Sequence, residues 1–141
     1  MGKEEIIIRG RTLYPGKTEG EALVSKGPMM GWGNVKADAG YTVERGHPLY
    51  EIPFKGKILI LPFIRGSGGF MAYGASASFG SNPAAILISQ PMSIAIMTAM
   101  ILKHPVMTDF EQDPSRAADT GDFVYVNADE GYIRIVKGGN N

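Results

Sequence analysis

Short apolar runs separated by glycines and prolines recur along the chain. Runs at Glu5–Arg9, Glu21–Ser25, Ile58–Leu61 and Ala84–Ile88 predict strands, because they are apolar or β-branched and are bounded by turn residues. The last two are apolar at consecutive positions, so we expect them in the centre of a sheet with both faces covered. The segment from Gly10 to Gly20 is rich in turn residues and predicts a turn region.

One helical segment is predicted before the Ala84–Ile88 strand in the sequence and one after it. Phe70–Ser78 is a run of mostly small residues that predicts a short helix. Met92–Leu102 follows Pro91, which suits the first helical position. This second helix is apolar nearly all round, so we expect it to be buried on several sides. The acidic stretch Asp109–Asp119 lacks the spacing of an EF-hand loop and is interpreted as a solvated connection.

The chain ends in a predicted hairpin and a short tail. Phe123–Val126 and Tyr132–Val136 alternate in polarity around the turn Asn127–Gly131, which is typical of a hairpin with one buried face. Gly138–Asn141 is expected to be a frayed tail. The order of elements predicts a mixed α/β fold with a partly parallel sheet or barrel-like β core and about two helices.

Length and composition narrow the class of protein. The 141 residues suffice for one domain, expected over 1–141. The net charge is zero, which argues against nucleic-acid and membrane-surface partners. The chain has no cysteine, so it offers neither thiolate nucleophile nor cysteine metal ligand. The N-terminus lacks a signal-peptide core and no apolar run reaches spanning length, so a cytoplasmic location is expected.

Candidate chemistry is concentrated in the loop after the Ile58–Leu61 strand. The sequence Arg65-Gly66-Ser67-Gly68-Gly69 places one hydroxyl among three glycines and beside one cation. Glycines let backbone N–H groups converge, and a helix beginning near Phe70 adds its positive end, so the loop can bind an anion or activate Ser67. The alternative from the residues alone is an ordinary strand-to-helix turn.

Other residues have structural interpretations beside functional ones. Trp32, between Gly31 and Gly33, either closes one end of a barrel or forms a wall of a ligand or partner surface. His47 precedes a proline and is interpreted as a turn residue. His104 follows the second helix, where capping of carbonyl groups is the simpler role.

Several segments, in order along nearly the whole chain, match a known pattern. These segments are Gly16–Lys26, His47–Tyr50, Lys57–Pro62 leading to Gly66-Ser67, Asn82–Leu87 and Gly121–Val126. Together they resemble the small subunit, or swivelling domain, of the aconitase X family of dehydratases. Each segment alone is a weak signal, but the ordered set is fairly specific.

The resemblance implies a swivelling β/β/α fold docked on a much larger partner subunit. It implies that the partner holds an iron or iron–sulfur centre through its own cysteines and that this chain binds no cofactor. The family dehydrates small hydroxy acids of the mevalonate 5-phosphate or cis-3-hydroxy-L-proline type. By resemblance, Ser67 is the base that removes the proton from carbon, and Arg65, Gly66, Gly68 and Gly69 contact the substrate.

The chain departs from the family pattern in two places. Phe70-Met71 stands where the family usually has a Gly-Ser pair, and Gly31–Val35 differs from the usual Gly-Gly-Val-Asp pattern. Both places are where substrate is expected, so the substrate stays open. A non-catalytic binding or regulatory paralogue is one alternative. A phosphohistidine-type mobile domain is another, although the loop lacks the histidine that such a domain needs.

Overall fold

The fold is a mixed sheet with few helices. The structure is a computed structural model, which describes residues 4–25, 29–30, 35–36, 40–42, 52–62, 64–65, 76–90 and 93–138. The main sheet is built from β1 (Glu5–Arg9), β2 (Arg11–Tyr14), β3 (Lys17–Val24), β7 (Ile58–Leu61), β9 (Ala85–Ile88), β10 (Val106–Thr108), β11 (Phe123–Asn127) and β12 (Tyr132–Val136). The remaining strands are β4 (Met29–Met30), β5 (Val35–Lys36), β6 (Tyr41–Thr42) and β8 (Ile64–Arg65), and the helices are α1 (Ser93–Leu102) and α2 (Pro114–Ala117).

The main sheet has eight strands in the order β1-β12-β11-β3-β7-β9-β10-β2. β3, β7, β9 and β10 run parallel to one another, as predicted for the β-α-β part of the chain, and β2 pairs antiparallel with β10. β1, β12, β11 and β3 are antiparallel. β3 belongs to both halves, because Lys17–Glu21 pairs with β11 while Ala22–Val24 pairs with β7.

The two outer strands of this sheet are neighbours in sequence, so the sheet curls back on itself. Only Gly10 separates β1 from β2, and its N–H donates to the Gly131 carbonyl at 3.0 Å. Beyond β10, Glu111 N–H donates to the Arg9 carbonyl at 2.9 Å, which ties the β2 side of the sheet to β1. A Cβ atom at Gly10 would lie 2.5 Å from the Phe110 ring, so this crossing leaves no room for a side chain. The prediction of a mixed, partly parallel sheet is confirmed, and the contacts at Gly10 and Arg9 hold its two outer strands close together.

Alternation along the buried strands divides the core into two clusters. On β7, Ile58 and Ile60 point into one cluster, which we call the inner cluster. Leu59 and Leu61 point into the other, which lies under α1 and which we call the outer cluster. The inner cluster also receives the apolar faces of β11 and β12, as expected for the closing hairpin. All four residues of β7 are fully buried, which confirms its central position.

Helix α1 covers the outer cluster with one face only. Ala95, Ala99 and Leu102 are buried against that cluster. The helix ends at Leu102, and the N–H of the following Lys103 donates to the Ala99 carbonyl at 3.1 Å. The prediction that this helix is buried on several sides is wrong, because its other apolar face is exposed. The exposed residues are Ile96, Met97, Met100 and Ile101.

Two predicted irregular segments contain regular structure. The predicted turn region from Gly10 to Gly20 holds β2 and the first half of β3, whose partners β10 and β11 are distant in sequence. The predicted solvated connection Asp109–Asp119 contains α2, with Asp113 as N-cap and Pro114 in the first turn. Of the predicted helix Phe70–Ser78, the described residues 76–78 are helical.

No described helix is long and apolar enough to cross a membrane.

At the end of the chain, the predicted tail begins at Gly138, whose N–H donates to Asp122 Oδ1 at 2.9 Å. Residues 139–141 lie outside the described residues.

Candidate functional site at the carboxyl ends of the parallel strands

The carboxyl ends of four parallel strands meet at one edge of the sheet. Here Ser25 N–H donates to the Ile60 carbonyl at 2.8 Å and Ser89 N–H to the Leu61 carbonyl at 3.0 Å. Just beyond, Gln90 N–H donates to the Pro62 carbonyl at 2.9 Å. Ligands of parallel α/β sheets bind outside the carboxyl ends of the strands. This edge, which we call the carboxyl edge, is therefore the candidate site.

The predicted Ser67 loop leaves from the carboxyl edge. After β7, the chain forms β8, in which Arg65 pairs with Met30 of β4. The chains that leave β3 and β7 thus remain side by side beyond the main sheet. Gly66, Ser67, Gly68 and Gly69 lie outside the described residues, as do Phe70-Met71, Trp32 and His47. The structure fixes the start of the loop, and the roles of Ser67 and its neighbours stay predictions.

A hydrogen-bonded network that the sequence interpretation missed supports the same edge. Asp113 Oδ1 accepts hydrogen bonds from Ser89 Oγ at 2.7 Å, Ser115 Oγ at 2.7 Å and Ser115 N at 2.9 Å. These contacts join the end of β9 to the start of α2. The local signal was the Asp113-Pro114 pair, since Asp is a favoured N-cap and Pro a favoured first helical residue.

Asp113 is a weaker base than an ordinary carboxylate. Its burial acts to raise the pKa, but the hydrogen bonds from Ser89 and Ser115 and the charge of Arg116 outweigh burial and leave the pKa lowered. A base with a lowered pKa accepts a proton from carbon less readily. The contacts of Asp113 therefore indicate a role in holding β9 and α2 together.

Hydroxyl groups satisfy backbone groups at two further strand ends of this edge. Thr108 Oγ1 donates to the Ile88 carbonyl at 2.7 Å, across the ends of β10 and β9. Thr120 Oγ1 accepts from Val24 N–H at 2.9 Å, at the end of β3. These bonds fix the ends of β3 and β9, the two strands that flank β7, and the predicted catalytic loop follows β7 in the chain.

A partly buried ion pair lies where β3 changes partner. Lys137 Nζ lies 2.6 Å from Asp122 Oδ2 and 3.0 Å from Asp119 Oδ2, and it also donates to the Ala117 carbonyl at 3.0 Å. Burial acts to raise the pKa of Asp122, but the bonds from Lys137, Asp119 N–H and Gly138 N–H leave that pKa lowered. Burial acts to lower the pKa of Lys137, and the two carboxylates leave it raised. Both partners are thus held in their charged forms, which indicates a structural pair.

One described cavity lies at the opposite edge of the sheet. It has a volume of about 400 Å³ and is lined by residues that precede the parallel strands, including Lys17, Lys55, Asn82 and His104. These residues lie at the amino ends of the strands, so the cavity is separate from the start of the Ser67 loop. The site is assigned to the carboxyl edge on topology, because the predicted chemistry begins there.

The part of the chain that the structure describes holds no group of three or more His, Cys, Asp or Glu side chains able to bind a metal ion. Two carboxylates of the acidic stretch Asp109–Asp119 make other contacts. Asp113 caps α2, and Asp119 pairs with Lys137.

Comparison with known proteins gives a consistent family match. The family described as aconitase X swivel domain matches residues 7–135. The chain is 35% identical to the phosphomevalonate dehydratase small subunit of Methanosarcina acetivorans over 134 residues, or 94% of this chain and 92% of that one. It is 36% identical to the protein of the same name from Methanosarcina mazei, over 95% and 94% of the two chains.

The fold also matches a solved structure. The crystal structure of Thermococcus kodakaraensis aconitase X, in its holo-form, superposes with a TM-score of 0.86 at 28% sequence identity. The match covers 94% of this chain and 99% of the matched chain. The described sheet and helices are therefore those of a known swivelling domain.

Proposed function

The chain belongs to the aconitase X swivel domain family, and on that premise we propose that it is the small subunit of a two-subunit hydro-lyase. In this proposal the complex removes water from a hydroxy acid, and the chain is active only with its large subunit. The observation that carries the proposal is the near full-length similarity to proteins named phosphomevalonate dehydratase small subunit. The same names support mevalonate 5-phosphate over cis-3-hydroxy-L-proline as the substrate.

The proposed reaction needs a base aimed at a carbon atom next to a carboxylate. The base removes the proton from that carbon, and the C–H electron pair forms the new C=C bond. The hydroxyl on the neighbouring carbon leaves with the C–O electron pair as hydroxide and combines with the abstracted proton to give water. We assign the proton to Ser67 Oγ. A serine hydroxyl accepts a proton only where its alkoxide is stabilised, and Arg65, converging backbone N–H groups and a helix N-terminus can supply that stabilisation.

The position of the loop supports this assignment. The Ser67 loop leaves from the carboxyl edge, whose strand ends are fixed by backbone and hydroxyl hydrogen bonds. A loop on a rigid edge can present a hydroxyl to a pocket that a second subunit closes, and closure of such a pocket excludes water.

The described part of this chain offers no site for the iron that the family implies. It has no cysteine, and its described residues contain no metal-binding cluster. We propose that an iron or iron–sulfur centre of the complex is held by the large subunit. Under this proposal, the small subunit contributes Ser67, the substrate-binding loop and a docking surface.

Reconstitution tests the proposal. The chain is co-expressed with the large subunit from the same genome, and the release of water from mevalonate 5-phosphate and from cis-3-hydroxy-L-proline is followed by mass spectrometry. We expect dehydration of mevalonate 5-phosphate by the complex and none by either chain alone. Ser67→Ala is expected to lower the rate by about 100-fold or more.

Ser78→Ala is the matched control, because Ser78 is an exposed serine near the loop in sequence. It is expected to leave both the rate and complex formation unchanged. A complex that forms but is equally active with Ser67→Ala would remove Ser67 from the mechanism. A complex that dehydrates neither compound would favour a non-catalytic paralogue, the alternative that Phe70-Met71 keeps open.

A further inference from the structure

Helix α1 exposes a continuous apolar face. Ile96, Met97, Met100 and Ile101 follow the i, i+1, i+4, i+5 spacing of one helical face, and their exposed fractions range from 41% to 67%. The opposite face, with Ala95 and Ala99, is buried in the outer cluster. No charged residue occurs between Ser93 and Leu102. We call the four exposed residues the outer face of α1.

A second exposed apolar side chain lies on the same side of the sheet. Phe79 is 62% exposed and follows Ala77, which packs on the same outer cluster as α1. Among the described residues, the other exposed large apolar side chains are Ile7 on β1, at 64%, and Ile52, at 41%. Among the described residues, exposed apolar area is therefore concentrated on the layer that holds α1 and Phe79. Such concentration is typical of a surface that another protein covers.

The outer face of α1 is close to the proposed site. Gln90, just before α1, donates its N–H to the Pro62 carbonyl, at the start of the segment that leads to Ser67. A partner that covers α1 therefore reaches the carboxyl edge at the helix N-terminus. This geometry fits a partner that also completes the site, whereas contact with a distant surface would leave the loop open to water.

We propose that the outer face of α1, with Phe79, is the surface on which the large subunit docks. This inference rests on the proposed function, since the large subunit is the occupant. Proteins named small subunits match this chain over nearly their whole length, so a larger partner is expected to cover a surface of this chain. The absence of charge along α1 specifies that the contacting surface of the partner is apolar.

The test compares two exposed positions in the full chain. Met100 on α1 is 67% exposed and Ile7 on β1 is 64% exposed, so either can become lysine with little effect on folding. Binding to the purified large subunit is measured by calorimetry, and unchanged circular dichroism and thermal midpoints confirm folding. We expect Met100→Lys to weaken binding at least about tenfold. Ile7→Lys is expected to leave binding within about twofold of wild type.

Dehydratase activity gives a second measurement. With a large excess of Met100→Lys chain, the complex is expected to regain most of the wild-type rate, because docking is weakened while Ser67 is intact. Ser67→Ala is expected to remain inactive at any excess. Failure of Met100→Lys to recover at saturation would overturn the assignment of this residue to docking.

Other outcomes separate the inference from the proposed function. Unchanged binding by Met100→Lys, with wild-type activity present, would overturn the docking surface and leave the proposed function standing. A wild-type chain that dimerises alone, and that Met100→Lys makes monomeric without affecting the large subunit, would assign the face to a second copy and overturn the inference. A wild-type chain that binds no large subunit would overturn the proposed function and the docking surface together.

Discussion

Ser89 Oγ donates a 2.7 Å hydrogen bond to Asp113 Oδ1, so one carboxylate oxygen both anchors the end of β9 and caps α2. We expect Asp113→Ala to lower the free energy of unfolding by about 1 to 2 kcal/mol, because it removes the N-cap and leaves the Ser89 and Ser115 hydroxyls without this acceptor. Chemical denaturation of the isolated chain measures the change.

Asp113→Asn is the matched control for that loss. Asn is as good an N-cap as Asp and keeps the acceptor, while it removes the charge. Since the Asp113 side chain is 38% exposed, solvent screens its charge, and we expect the loss to be below about 0.5 kcal/mol. Equal losses in the two variants would show that the charge, and not the acceptor, stabilises this junction.

The Asp122–Lys137 pair predicts a large difference between two neighbouring aspartates. The Asp122 side chain is 6% exposed, and Asp119, which contacts the same lysine, is 74% exposed. We expect Asp122→Ala to cost about 2 to 3 kcal/mol, because Lys137 loses its buried partner and Gly138 N–H loses its acceptor. Asp119→Ala is expected to cost less than about 1 kcal/mol. Similar losses from urea unfolding would contradict the buried role of Asp122.

The same pair predicts how stability changes with pH. The pKa of Asp122 is lowered on folding, so its contribution is present above the ordinary aspartate pKa and is lost as the pH falls below about 4. The pKa of Lys137 is raised, so its contribution is present below its ordinary pKa and is lost as the pH rises above about 10. Thermal midpoints should form a plateau between these limits. Lys137→Met should flatten the alkaline decline, and an unchanged decline would assign it to other groups.

Gly20 predicts a steric limit inside β3. A Cβ atom at this position would lie 2.8 Å from the Gly56 carbonyl oxygen, and a backbone atom cannot move aside as a flexible side chain can. We expect Gly20→Ala to destabilise the chain by about 1 to 3 kcal/mol. Glu19→Ala, at the adjacent exposed position, is expected to change stability by less than about 0.5 kcal/mol. An unchanged free energy of unfolding in Gly20→Ala would mean that β3 and the turn at Gly56 can move apart without loss of stability.

Local patterns predicted the strands in which apolar, buried residues recur at every position or at every second position. β7, β9 and the closing hairpin follow from runs or alternation of apolar residues, and the structure confirms them. β2 was missed because Arg11–Tyr14 is short and bounded by Gly10 and Pro15-Gly16. It is a strand because it pairs with β10, which a local pattern cannot reveal.

The composition of α1 predicted a helix but not how much of it is covered. An apolar helix is buried on several sides only where other elements exist to cover it, and here the sheet covers one face. The Asp113 network was equally hidden, because Ser89 and Asp113 meet only after β9 and α2 are in place. The prediction for Ser67 depended on resemblance, since glycine-rich loops are common, and it awaits the activity test.

The pairing of β1 with β12 sets the order in which this chain can acquire its core during synthesis. Glu5 and Arg134, joined by a 2.6 Å ion pair across these strands, are 129 residues apart in sequence. Ile8 and Ile133 of the same strands belong to the inner cluster. Because β1 precedes β12 along the chain, β1 must wait until β12 has been synthesised before its partner covers it. Contacts between residues so far apart in sequence give the chain a high contact order. A high contact order predicts slow folding and a period in which the early strands are exposed to aggregation or to chaperones.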